Sequence, residues 1–393
     1  LGADRITALM AELIEYSERM TRAALATLPD GVFDFEDFIV DDGIDVGKPI
    51  RLYVTITKQG EKITADWTGT SPQVKGAINN TWSYTRSASL CAIRSILGVD
   101  IPNNEGVFRC VEVIAPPGTI ANGVLPAACA ARGLTGFRMV DTMFGALSKM
   151  VPDRVFASSD GGNSGVSIGG YDKNRKPFIF VDFTCSAWGG RPWADGLDGN
   201  SNIFANMAGQ SCEVIEAENP VEIPCYEFIP DTMGPGKFRG GAPFRRDYRL
   251  LEEEAVLQVR SDRRTFRPYG LFGGQPGKPS MNYLDPEGAR QVLPSKFCMN
   301  LKKGDVFRHE VAGAGGYGDP LERDPEAVLR DVRNEMVSLA AARDDYGVIV
   351  DPRTWTHDAG ATRQRRAELR ALRRGRTAPS VLRTPWPDAI AAE

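Results

Sequence analysis

The stretch VAGAGGYGDP, residues 311–320, places four glycines in ten positions and ends on Asp-Pro. It separates two textures of chain, and that contrast decides the fold class. Upstream, from residue 157 to 320, apolar runs are short and turn pairs recur as Asp160-Gly161-Gly162, Gly169-Gly170, Gly189-Gly190, Gly240-Gly241 and Gly273-Gly274. Glycine reaches the positive φ values that tight turns require, so this segment reads as short strands joined by tight turns. It shows no fixed repeat period, which argues against a solenoid or propeller. Downstream the pattern turns helical. Asp324 is placed to cap a helix, Pro325 to take its first position and AVLRDVRNEM to continue it, with a second short helix capped at Ser338.

Working back towards the N-terminus, Ile6, Leu9, Met10, Leu13, Ser17, Met20 and Ala24 fall on one side of a helix that Pro29-Asp30-Gly31 stops. RLYVTIT (51–57) alternates, KQGEK turns and ITADWTG (63–69) returns, which predicts a β-hairpin. Helical patterns follow at 83–97 and 140–151, and CVEVIAPPGT (110–119) reads as a strand entering a Pro-Pro-Gly turn. The expectation is therefore an α+β fold: mixed, largely antiparallel β-sheets with flanking helices and a helical C-terminal segment. Four regions are expected: an α+β part at 1–156, a glycine-rich mainly-β domain at 157–322, a helical segment at 323–351, and a basic, proline-containing tail at 352–393. Within the last, RQRRAELRALRRGR (363–376) sets seven arginines against one glutamate, as a solvated helix or as one that docks on an acidic partner.

Composition bounds the function. With 393 residues, 42% hydrophobic and 25% charged, the chain can bury a large core. A net charge of -4 gives no global basic field for nucleic acid, and the apolar runs are too short to span a bilayer. The opening residues are amphipathic rather than signal-like, and the absence of an initiator Met points to a processed terminus or a missing upstream part. Seven cysteines are scattered singly with no CxxC pair, which suits reduced thiols and a cytoplasmic location.

Chemistry is constrained most by the two histidines. His309 and His357 form no HxxxH or HxD pairing, so no familiar zinc site is predicted. VAGAGGYGDP lacks the GxxxxGK[ST] of a phosphate loop and the flanking units of a dinucleotide fingerprint; Asp319-Pro320 precedes a helical stretch, so an anion site and a structural reversal are both open. Ser164 is expected in a loop without an evident base, and Cys185 or Cys212 would need a histidine partner. Three polar, glycine-flanked segments remain. DWTGTSPQVKGAINN (66–80) offers Asp66, Thr68, Asn79 and Asn80; DGGNSGVSIGG (160–170) offers Asp160 and Asn163; WGGRPWADGLDGNSN (188–202) offers Trp188, Arg191, Asp195 and Asn200. Carboxylates and amides on loops at strand ends line binding cavities, and the same residues also make tight turns. As a set they are the candidate lining of a substrate cavity.

Several longer stretches carry a resemblance. DWTGTSPQVKGAINN, PNNEGVFRCVEVIAPPGTIAN, NPVEIPCYEFIPDTMGPGKFRGG (219–241), PYGLFGGQPGKP (268–279) and AGAGGYGDPLERDPEAVLRDVRNEMVS with YGVIVD resemble, in order, the hydantoinase B family. The family holds the B-type subunits of ATP-dependent hydantoinases, 5-oxoprolinases and lactamases, related to acetone and acetophenone carboxylase subunits. VAGAGGYGDP is similar to its penultimate glycine turn, with Ala312 and Ala314 interrupting the run. The resemblance implies an actin-like A-type ATPase partner that uses ATP and Mg to phosphorylate a carbonyl oxygen, and a B-type subunit that processes the activated small molecule. It also implies that the chain matches the C-terminal two-thirds of a B-type subunit, with the family's divalent-metal ligands outside it, on an upstream or separate N-terminal segment. Ring hydrolysis, ketone carboxylation and a non-catalytic scaffold are the three roles this leaves.

Overall fold

A computed structural model describes residues 2–98, 100–184 and 186–373. The chain divides into two compact units, 1–155 and 156–373 of the described residues.

In the first unit, helix α1 (Ala3–Ala26) precedes strands β1 (Gly31–Ile39), β2 (Ile50–Gln59) and β3 (Lys62–Asp66), helices α2 (Trp82–Ile96) and α3 (Glu105–Phe108), strand β4 (Val111–Ile114) and helix α4 (Arg132–Leu147). The four strands form one sheet in chain order, antiparallel except for the parallel β3–β4 pair. Period-two alternation in β2 sends Leu52, Val54 and Ile56 inward, all fully buried. Helix α2 begins where the Thr81 hydroxyl accepts from the Tyr84 amide. The predicted helix at 140–151 instead starts at Arg132 and ends at Leu147. Gly133 and Gly136 concealed its first half, because glycine weakens a helical signal. The glycine has a packing reason: a Cβ at Gly136 would lie 2.2 Å from the Tyr84 ring.

In the second unit, β5 (Ser164–Tyr171) and β6 (Pro177–Thr184) form a hairpin, followed by α5 (Cys212–Glu218), β7 (Val221–Glu222), β8 (Tyr226–Phe228), β9 (Phe244–Leu250) and β10 (Glu254–Arg260). Strands β11 (Met281–Leu284), β12 (Gln291–Leu293), β13 (Lys296–Lys302) and β14 (Val306–Glu310) complete the β part. One sheet runs β13-β10-β5-β6 and the other β12-β11-β14-β9-β7 with β8 beside β9, every pairing antiparallel. Val166, Ile168, Phe180 and Leu257 of the first share one core with Tyr248, Leu250 and Phe307 of the second, which makes the pair a sandwich. Ser164 opens a strand rather than lying in a loop, because its segment pairs with β6.

Helices α6 (Pro325–Arg333) and α7 (Leu339–Asp344) carry the caps expected, with Asp324 accepting from Glu326 N and Ser338 from Ala341 N. A short pairing of β15 (Val350–Asp351) with β16 (Thr356–His357) leads to α8 (Ala359–Arg373). The basic face of α8 docks on its own chain: Arg366 donates to the carbonyls of Tyr346 and Arg323, Arg370 to that of Leu321, and Arg373 pairs with Asp319. The end of the predicted tail, 374–393, lies outside the described residues. The observed architecture is α+β, with largely antiparallel sheets and a helical C-terminal segment.

Candidate functional site

The opening stretch is the central thread of a glycine knot at one end of the second unit. Gly313 N donates to Lys278 O, Gly315 N to Ser158 O, Gly316 N to Gln275 O and Tyr317 N to Phe238 O, while Gly190 N reaches Gly315 O. The backbones touch directly. A Cβ at Gly313 would lie 1.9 Å from Thr232 O, and one at Gly277 1.8 Å from Gly313 O. Amides that bond to carbonyls in this way are not free to cradle an anion. At the end of the stretch the Asp319 carboxylate itself accepts from Leu321 N at 2.9 Å, so the turn that follows carries its own anion. The structure makes VAGAGGYGDP a reversal.

Beside the knot lies an ion lattice. Arg323 bonds Asp195 at 2.8 Å and Asp331 at 2.7 Å; Arg239 bonds Asp198 at 2.7 and 3.1 Å and Asp331 at 3.2 Å, and its amide donates to Asp195 at 2.9 Å. Burial works against the Asp195 carboxylate, but the Arg323 hydrogen bond and charge outweigh it and hold its pKa below the ordinary carboxylate range. Burial likewise opposes the charge on Arg239, and its three carboxylate neighbours more than restore it. Arg191 donates twice to the Asp195 carbonyl, at 2.9 and 2.6 Å. Asp195 and Arg191 thus sit in a connected framework.

The other sequence candidates fall in both units. In the second, Asp160 is buried and accepts from Ser186 N at 2.8 Å, and Asn163 is half-buried just before β5. Trp188 stacks on Phe156 at 5.2 Å, and its indole N–H donates to Ser201 O. Asn200 is exposed and lines a cavity described below. In the first unit, Asp66 accepts from the amide of exposed Thr68 at 2.8 Å, a local turn. Asn79 is fully buried and saturated, accepting from Val74 N and donating to the carbonyls of Val74, Gly76 and Ala128. Asn80 is buried with its amide 3.0 Å from Met139 Sδ.

Reading from sequence overlooked a second polar cluster between the sheets. Asp182 of β6 accepts from Arg246 Nη1 at 2.6 Å and from the Tyr248 hydroxyl at 2.7 Å. Burial and the Asp182 charge push the Tyr248 hydroxyl pKa up. The Arg246 guanidinium lies 4.0 Å over the Tyr226 ring. On the neighbouring strand, paired with Arg246, His309 places Nδ1 2.7 Å from Asn282 Oδ1. Since Asn282 Nδ2 donates to Ser261 Oγ and Pro294 O, its oxygen faces the histidine, so Nδ1 carries the proton. Burial lowers the His309 pKa to about 4 and keeps the ring neutral. The overlooked signal is a polar residue at an inward phase of an alternating strand: Asp182 after Phe180, Arg246 between Phe244 and Tyr248, His309 after Phe307.

Arg246 borders a cavity of about 200 Å³ together with Phe183, Asn200, Met207, Gly209, Tyr226 and Phe244. No group of three or more His, Cys, Asp or Glu that could hold a metal ion occurs among the described residues. His309 is committed to Asn282, and His357 Nε2 lies 3.0 Å from Glu326. The described residues do not fit a metal centre. The cysteine candidates divide: Cys185 lies outside the described residues, and Cys212 is half-buried with its thiol pKa raised by burial, the opposite of an activated nucleophile. Among the described residues, no helix is long and apolar enough to cross a membrane.

These features belong to a known class. The family model described as Hydantoinase B/oxoprolinase matches residues 1–320, and the chain belongs to that family. A Pseudomonas sp. (strain NS671) protein, provisionally named as the B-type subunit of a D-/L-hydantoinase, is 33% identical over 89% of this chain and 61% of its own length. The β subunit of caprolactamase from Pseudomonas jessenii is 30% identical over 89% of this chain and 62% of its own. The crystal structure of that ATP-dependent caprolactamase superimposes with a TM-score of 0.82 at 27% identity, covering 93% of this chain and 65% of that one. A nucleotide-free acetone carboxylase structure shares the fold, with a TM-score of 0.77 at 18% identity over 93% of this chain and 56% of that one. The chain thus spans about three-fifths of the length of the two relatives named first.

Proposed function

We propose that this chain is part of the B-type component of an ATP-dependent hydrolase of cyclic amides or imides. In this reading an A-type ATPase partner, holding ATP and Mg, phosphorylates the ring carbonyl oxygen, and the B-type component receives the activated ring and completes its opening. An amide carbon is a poor electrophile because nitrogen donates into the carbonyl. Phosphorylating the oxygen turns the carbonyl into a C=N carbon that bears phosphate as a leaving group, so water can add there and phosphate depart, with ATP providing the driving force. The observation that carries the reading is the likeness to hydantoinase and lactamase subunits, at 33% and 30% identity over 89% of the chain.

The alternative of ketone carboxylation shares the activation step and differs in its need for bicarbonate. The scaffold alternative draws support from Asn79 and Asp195, whose polar groups are engaged in their own loops and ion pairs. Coexpression with an A-type partner, followed by ATP hydrolysis assays, tests the reading. Hydantoin, 5-oxoproline or caprolactam is expected to stimulate ATP hydrolysis and ring opening without bicarbonate. Turnover that requires a ketone and bicarbonate together would overturn it.

A further inference from the structure

We propose that the cavity beside Arg246 is a binding subsite for one ring-sized, uncharged carbonyl compound of the cyclic amide or imide class, an inference that rests on the hydrolase reading above. Size comes first. A cavity of about 200 Å³ lies below the range of about 300–1,000 Å³ usual for larger ligands, which suits a single small ring better than a nucleotide.

Charge narrows the class. Arg246 is the one charged side chain among the described residues that line the cavity, and Asp182 already matches it at 2.6 Å. The pair is neutral as a unit and presents a dipole. A free anion entering there would add a charge beside an arginine that Asp182 already matches, whereas a carbonyl brings an acceptor without one. The Arg246 side chain is only 2% exposed, and its Nε finds no partner among the described residues. Asp182 and the Tyr226 ring hold this guanidinium in place at the cavity wall.

The walls complete the match. Tyr226 and Phe244 meet edge to face at 4.9 Å and 88°, with Phe183 beside them, and their rings offer apolar faces to a flat ring. Asn200 lines the cavity with a side-chain amide, an acceptor oxygen and an N–H donor that complement a ring amide. The loop that carries Asn200 is held from behind by Trp188, whose indole N–H donates to the Ser201 carbonyl.

The roof offers a clean test. A Cβ at Gly209 would meet only the Tyr226 hydroxyl, at 3.8 Å, so Gly209→Leu fills the space without straining the backbone. The experiment is a ligand-observed NMR titration of the 393-residue chain with hydantoin, 2-pyrrolidinone and acetate, for the unsubstituted protein, Gly209→Leu and Asn200→Ala, with melting temperature measured alongside. Saturable binding of the two ring amides is expected, weakened at least about tenfold by Gly209→Leu and severalfold by Asn200→Ala, at an unchanged melting temperature. Absence of saturable binding, or equal affinity in Gly209→Leu, overturns the subsite; tighter binding of acetate than of 2-pyrrolidinone overturns its uncharged character. The two readings fail separately. If the assembled enzyme carrying Gly209→Leu turns over cyclic amides normally, the subsite falls and the hydrolase stands. If binding is lost in Gly209→Leu yet turnover demands bicarbonate and a ketone, the hydrolase falls and the cavity stands.

Discussion

Two regions of the second unit bury arginines, and they use them differently. Beside the glycine knot, Arg239 and Arg323 share Asp195, Asp198 and Asp331, so two cations meet three carboxylates. Between the sheets, Arg246 has one carboxylate, two aromatic rings against it and a cavity at its side. A buried charge must be matched, but how fully it is matched decides whether the place is framework or site. The lattice gives each of its arginines two carboxylates. The other arginine, matched by one, stands at the edge of open space.

Substitutions test this contrast in descending order of effect. Gly277→Ala forces a Cβ to within 1.8 Å of a backbone carbonyl that has no flexible side chain to yield. A loss of about 4 kcal/mol or more, or failure to fold, is expected in chemical denaturation. Asp331→Ala leaves Arg239 and Arg323 each short of a partner in a buried place, and a loss of about 3–5 kcal/mol is expected by the same measurement. If it instead proved neutral, the lattice would not be the framework described here.

The His309 pair makes a pH prediction. Its folded pKa, about 4, lies below the ordinary value of 6.5, so the unfolded chain binds the proton more readily. The stability it contributes is present above the unfolded value and is lost as pH falls from 6.5 towards 4. The full difference corresponds to about 3 kcal/mol, and His309→Gln should flatten this part of the stability curve. Asp182→Asn keeps the shape but weakens the bonds to Arg246 and Tyr248, with an expected loss of about 1–3 kcal/mol. At the other extreme, Gly209→Ala should change stability by less than about 0.5 kcal/mol, since its Cβ enters open space. A glycine in the knot and a glycine over the cavity should thus behave oppositely under one substitution.

The legible parts were those with a local cause. The hairpin of β2 and β3 announces itself by alternation, and Asp324, Pro325 and Ser338 mark the starts of α6 and α7 by capping chemistry. Helix α4 was half hidden because Gly133 and Gly136 weaken its pattern, although Gly136 is there to admit Tyr84. Among the site residues, Asn79 and Asp195 read alike in sequence, as polar residues on glycine-rich loops. One is enclosed by its own loop and by the distant Ala128 carbonyl, the other by arginines more than forty and more than a hundred positions away. Arg246, Asp182 and His309 escaped notice because a polar residue inside a strand is usually on its wet face, and only pairing between strands fixes which face is dry.

By itself, then, the amino-acid sequence determined the α+β class, the glycine-dense β region and the helices that follow it, because propensity, period and caps act over a few residues. It also carried the family membership. Tertiary structure alone decided that four glycines in VAGAGGYGDP are a backbone-to-backbone seam, and that one buried arginine is locked by carboxylates while another borders a cavity. Those outcomes depend on which groups meet across long stretches of chain, and charge burial is settled by the neighbours that arrive, not by the residue that waits for them.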